Sequence, residues 1–158
     1  MKSTEIKLTK QQIEVLQNDP FYKAYKGRFS GVLRWHQLDD LWEELTKKKQ
    51  DDWYVYAVGE QPPQLTLSAD KLKYFVQELD QLLHREHDED YCGIVYADNR
   101  EEPAFIKIFD PNNLGTSCGS SGIPPLPGWI LSKLKPVDLS SAFPQPENRK
   151  RWWKSLFG

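Results

Sequence analysis

The stretch from Ser68 to about residue 86 constrains the fold more than any other part of the chain. Leu72, Phe75, Val76, Leu79, Leu82 and Leu83 recur at three- and four-residue spacing. A helix places them all on one side and leaves Lys, Asp, Glu and Gln on the other. Ser68 stands where an N-cap hydroxyl is wanted, and Leu67 and Leu72 are spaced to staple the first turn. A one-faced helix of this length has to bury its stripe against another layer, so the remaining segments must supply that layer.

Residues 53–58 (Trp-Tyr-Val-Tyr-Ala-Val) are aromatic and β-branched and predict a strand. Residues 65–67 follow Gly59 and Pro62-Pro63 and predict a short edge strand. Residues 91–97 and 104–109 predict two strands joined by Asp98-Asn99-Arg100-Glu101-Glu102-Pro103, an antiparallel hairpin. Residues 129–134 predict another strand. Two more helices are expected upstream. One starts at a Thr9/Gln12 capping box, carries Ile13 and Leu16, and ends near Asn18-Asp19-Pro20. The other spans roughly residues 32–48 on Leu38, Leu41, Trp42 and Leu45, with Lys47, Lys48 and Lys49 at its C-terminal end. Between them lies an aromatic cluster, Phe21, Tyr22, Tyr25 and Phe29, in a turn region marked by Gly27 and Gly31. The expected class is α+β: a single domain over residues 1–135, with a small, mostly antiparallel sheet packed with about three helices. Residues 136–158 read as a proline-containing linker and a basic, tryptophan-rich tail.

Charge narrows the functional classes. Residues 51–110 hold five Lys/Arg against fourteen Asp/Glu, whereas residues 111–158 hold six against two. An acidic middle of −9 lacks the clustered Lys/Arg that phosphate contacts require, so nucleic acid is not an expected partner. The N-terminal residues lack the apolar stretch of a secretory signal, and no apolar run approaches a bilayer span, which together predict a cytoplasmic chain. Cys92 and Cys118 are accordingly expected as thiols.

The loop at residues 110–128 is long for a compact domain, and such loops often carry function. Gly115, Thr116, Ser117, Cys118, Gly119 and Ser120 are small enough to leave the thiol open or to curl backbone N–H groups into an anion-binding nest. Specific chemistries fail here. A P-loop needs Gly-Lys-Ser/Thr before a helix, a phosphate-transferring thiol of the Cys-x5-Arg type needs an Arg six positions on, and a papain-type thiol needs a downstream His. No His follows residue 87. The plain alternative is a structural loop laying Leu114, Ile123 and Leu126 over the sheet.

His84 and His87 share a helix face near Asp88, Asp90 and Cys92, which are zinc-compatible residue types, but the spacing matches no zinc motif and a helix C-terminus favours histidine by itself. His36 reads as a structural histidine on a helix flank. The run Asp88-Glu89-Asp90 reads as a solvated turn, not as a catalytic pair. No metal, cofactor or catalytic residue is assigned.

The tail is the least ordinary feature. Arg149, Lys150, Arg151 and Lys154 alternate with Trp152, Trp153, Leu156 and Phe157. Indoles are costly to leave in water, so the tail is expected to bury them on its own domain, in a partner's groove or at a membrane surface; ten residues are few for membrane anchoring. Arg151, Trp152, Trp153, Lys154 and Phe157 are thus the candidate contact residues for a protein partner. The functional expectation is a small accessory or protein-interaction module without catalytic activity, of the assembly-factor kind. The alternative is a thiol- or ligand-binding protein, or an enzyme, centred on the Cys118 loop.

Overall fold

The computed structural model describes residues 9–48, 51–113, 126–139, 152 and 154–156. Its centre is a five-stranded sheet. The strands are β1 (Ser30–Val32), β2 (Tyr54–Ala57), β3 (Val95–Ala97), β4 (Phe105–Ile108) and β5 (Trp129–Ser132), in the spatial order β1-β3-β4-β5-β2. Every neighbouring pair is antiparallel. Four helices accompany the sheet: α1 (Lys10–Asn18), α2 (Pro20–Tyr25), α3 (Trp35–Thr46) and α4 (Ala69–Glu86). The α+β class and the antiparallel sheet are as the sequence predicts.

The period-2 alternation of the strands sorts side chains onto two faces. Val55, Ala57, Val95, Ala97, Ile106, Ile108, Trp129 and Leu131 meet Leu38, Leu41, Trp42 and Leu45 of α3 and the whole predicted stripe of α4. All six stripe residues are buried. Ser68 caps α4 as expected, its hydroxyl accepting from the Lys71 N–H. The two helices are joined polarly as well, since the Trp42 indole N–H donates to Asp80 at 3.0 Å.

The opposite face carries a smaller apolar cluster of Phe21, Tyr56, Val58, Phe105 and Ile130. It is covered by α2, Phe29, Leu126, Val137 and Leu139. The structure corrects three details. Residues 20–25 are a helix and not a turn region: Asp19 accepts from the Phe21 N–H as N-cap and Pro20 occupies the first helical position. Ser30–Val32 form an edge strand, short enough to leave no periodicity to read. Residues 91–94 precede β3 and do not belong to it; Gly93, at φ +68°, turns the chain there. The side chains of Gln12, Ile13 and Leu16, which define the expected α1 pattern, lie outside the described set.

The hairpin is closed by two side chains. Asp98 Oδ1 accepts from the N–H groups of Asn99, Ala104 and Phe105, and Asn99 Oδ1 from those of Glu101 and Glu102. At the other margin of the sheet, the chain turns after β2 and returns to meet Trp53, just ahead of that strand. The Leu67 N–H donates to the Trp53 carbonyl and the Glu60 N–H to the Ala57 carbonyl, which blunts that edge.

Candidate functional site

The candidate contact segment returns to the domain that carries it. Trp152 and residues 154–156 are helical, and the Ser155 hydroxyl donates to the Trp152 carbonyl at 2.6 Å. One helical turn puts residues i and i+4 on the same side, so Trp152 and Leu156 face the protein while Lys154 and Ser155 are exposed. The Trp152 ring meets Trp129 of β5 edge-on, with centroids 5.6 Å apart, and lies 6.2 Å from Phe75 of α4. Both Trp152 and Leu156 are half-buried against the principal core.

The seat is shallow and extends beyond what the described tail covers. Leu156 lines an open groove of about 390 Å³ together with Val55, Pro63, Leu65, Leu67, Lys71 and Tyr74. Leu65 is 80% exposed and Tyr74 44% exposed. Arg151, Trp153 and Phe157, the other expected contact residues, lie outside the described residues.

Gly115, Thr116, Ser117, Cys118, Gly119 and Ser120 also lie outside them, as do Leu114 and Ile123. What is described is how the two ends of that loop are held. Asp110 is buried and accepts from the Asn112 N–H, and the Asn112 amide donates to Glu86. The Gly128 N–H donates to the Ile108 carbonyl. A Cβ at Gly128 would come within 3.1 Å of the Asp110 Cβ, so a residue without a side chain lets the two ends approach. Leu126 lies over the second apolar cluster, as the structural reading of the loop expects.

The histidines make contacts within the domain. The His84 ring stacks on Trp35, with centroids 4.1 Å apart, and His87 Nε2 is 2.8 Å from the Cys92 carbonyl oxygen. Trp35 itself donates its indole N–H to the Glu89 carbonyl. Cys92 is fully buried, and burial pushes its thiol pKa up. Among the described residues no group of three or more His, Cys, Asp or Glu is arranged to hold a metal ion. His36 is exposed and lines an open groove of about 750 Å³ between α3 and the hairpin, with Asp40, Glu43, Glu44, Asp98 and Glu101 around it. No described helix is long and apolar enough to cross a membrane.

One feature escaped the sequence reading. On the face opposite α3 and α4, the Lys107 ammonium lies 4.0 Å from the Phe29 ring centre and 4.2 Å from that of Tyr25. Desolvation there lowers its pKa to about 8, while the two ring faces favour the charged form. Beside it, Tyr56 accepts from the Leu139 N–H, which ties the chain after β5 to the sheet. Burial raises the Tyr56 phenol to about 12, assisted by the nearby Asp138 carboxylate. A signal for the lysine was present: it is the only polar residue in Phe105-Ile-Lys-Ile-Phe109, and Tyr25 and Phe29 are spaced four apart.

No protein family, no curated protein and no solved structure matches this chain.

Proposed function

We propose that this chain is a small cytoplasmic protein-interaction module, accessory to another protein and without chemistry of its own, whose contact element is the C-terminal aromatic and basic segment. The observation that supports this reading is the amphipathic turn at residues 152–156, half-buried on the domain and presenting Lys154 outward. Such a turn offers apolar area for affinity and positive charge for orientation. The acidic residues along α3 and the hairpin give the molecule an opposite pole, which helps steer a charged partner.

The test compares the intact chain with one lacking residues 148–158, each used to recover partners from cells, with a melting curve for each. Loss of a recovered protein, with cooperative melting retained, is the expected result. Undiminished recovery from a folded truncated chain removes the tail as the contact element.

A further inference from the structure

We infer that the apolar surface where Trp152 and Leu156 rest, with the groove beside Leu156, is a receptor for a partner's amphipathic helix, and that the chain's own tail is its intramolecular competitor. This inference keeps the interaction reading above but goes beyond it, since a partner that displaces the tail is captured more strongly without it, and names the partner's chemistry: an aromatic residue, an aliphatic residue four positions on, and a further apolar residue beyond them.

Three observations carry it. First, the domain already holds a helical turn of that pattern, with Trp152 against Trp129 and Phe75 and Leu156 forming one wall of the groove. The surface therefore suits an i, i+4 pair, the usual anchor spacing for a helix in a groove. Second, the tail under-fills it. Trp152 and Leu156 are only half-buried, and Leu65 and Tyr74 stay exposed at the same groove. A longer helix would cover those two side chains as well and gain area that the tail does not take. Third, the tether is short. Residues 140–151 separate Trp152 from Leu139, whose N–H is fixed to Tyr56. A tether of that length gives the tail an effective concentration on the order of millimolar, so it blocks weak helices and yields to stronger ones.

The experiment uses the full-length chain and a fluorescently labelled peptide of residues 148–158 as the probe. The double variant Trp152→Ala/Leu156→Ala empties the seat while keeping every other residue, and Leu156→Ser alone is a milder version. If the peptide binds an empty seat with a Kd of about 0.1 mM, a millimolar tail weakens its apparent affinity for the wild-type chain about tenfold. The expected result is thus binding to the double variant up to about tenfold tighter than to wild type, with a smaller gain for Leu156→Ser. That binding should be lost when the peptide itself carries Trp152→Ala/Leu156→Ala, the two side chains that face the domain. No binding to a cooperatively melting variant overturns the inference. So does equal binding to variant and wild type, or undiminished binding by the doubly substituted peptide. Failure here while deletion of residues 148–158 still abolishes complex recovery leaves the tail itself as the contact element. Success here with recovery unchanged by that deletion keeps the receptor and removes the proposed role of the tail.

Discussion

At the scale of single residues, Lys107 and Tyr56 make stability depend on pH in opposite directions. The Lys107 ammonium titrates at about 8 in the folded chain but near the usual 10.4 when unfolded, so between those values the unfolded chain holds more protons. Stability therefore rises as pH increases through that window. Tyr56 has its pKa raised from 10.0 to about 12 in the folded chain, so above about pH 10 the unfolded chain loses its proton first and stability falls. Melting temperatures across pH 7–11 should show the rise and then the fall. Lys107→Met should flatten the first limb and Tyr56→Phe the second; unaltered curves for both variants would show that neither side chain governs these limbs. Cys92 belongs at this scale too. Its thiol is fully buried and its pKa is raised, so native-state alkylation should leave Cys92 unlabelled, and prompt labelling would mean that α3 and α4 do not cover it as described.

At the scale of elements, α4 is the part whose removal the molecule could least survive. Leu79 is fully buried in the principal core, and Leu79→Ala should cost about 2–5 kcal/mol, the range for a packed core leucine. A loss under about 0.5 kcal/mol in urea titrations would show that the stripe is not core. This helix and α3 were legible because each repeats its period long enough to stand out, and the strand at 53–58 because its residues are aromatic and β-branched. Ser30–Val32 was not legible. Three residues carry no period, and its place beside β3 is fixed by Val32 packing under α3 and α4. Helix α2 was hidden differently. Its aromatic content resembled a cluster, while the signal that mattered was the cap, Asp19 followed by Pro20. The candidate site divides in the same way. The pattern of Trp152 and Leu156 was visible in the sequence, but the seat is assembled from Trp129, Phe75 and Leu65, which stand far apart along the chain.

At the scale of the whole molecule, the question is how firmly the tail is held. Half-burying a Trp and a Leu contributes on the order of 2–3 kcal/mol, since full burial of a large apolar side chain is worth about 1.5–3 kcal/mol. Holding the tail in one place opposes this with a chain-entropy cost of similar size. The two nearly cancel, so the tail should sit on its groove with only a small surplus. Deleting residues 148–158 should therefore lower stability by about 0.5–1.5 kcal/mol, which for a domain of this size lowers Tm by roughly 1–6 °C. Trp152→Ala should reproduce most of that decrease, because the indole supplies the largest contact. Lys154→Ala should leave Tm unchanged, because that side chain is exposed. A drop well beyond 10 °C on deletion would make the tail an integral part of the core and too tightly bound to be exchanged for a partner helix. No change at all would mean that Trp152 contributes nothing by lying against Trp129 and Phe75, and the groove would then have no measurable preference for a helix of this kind.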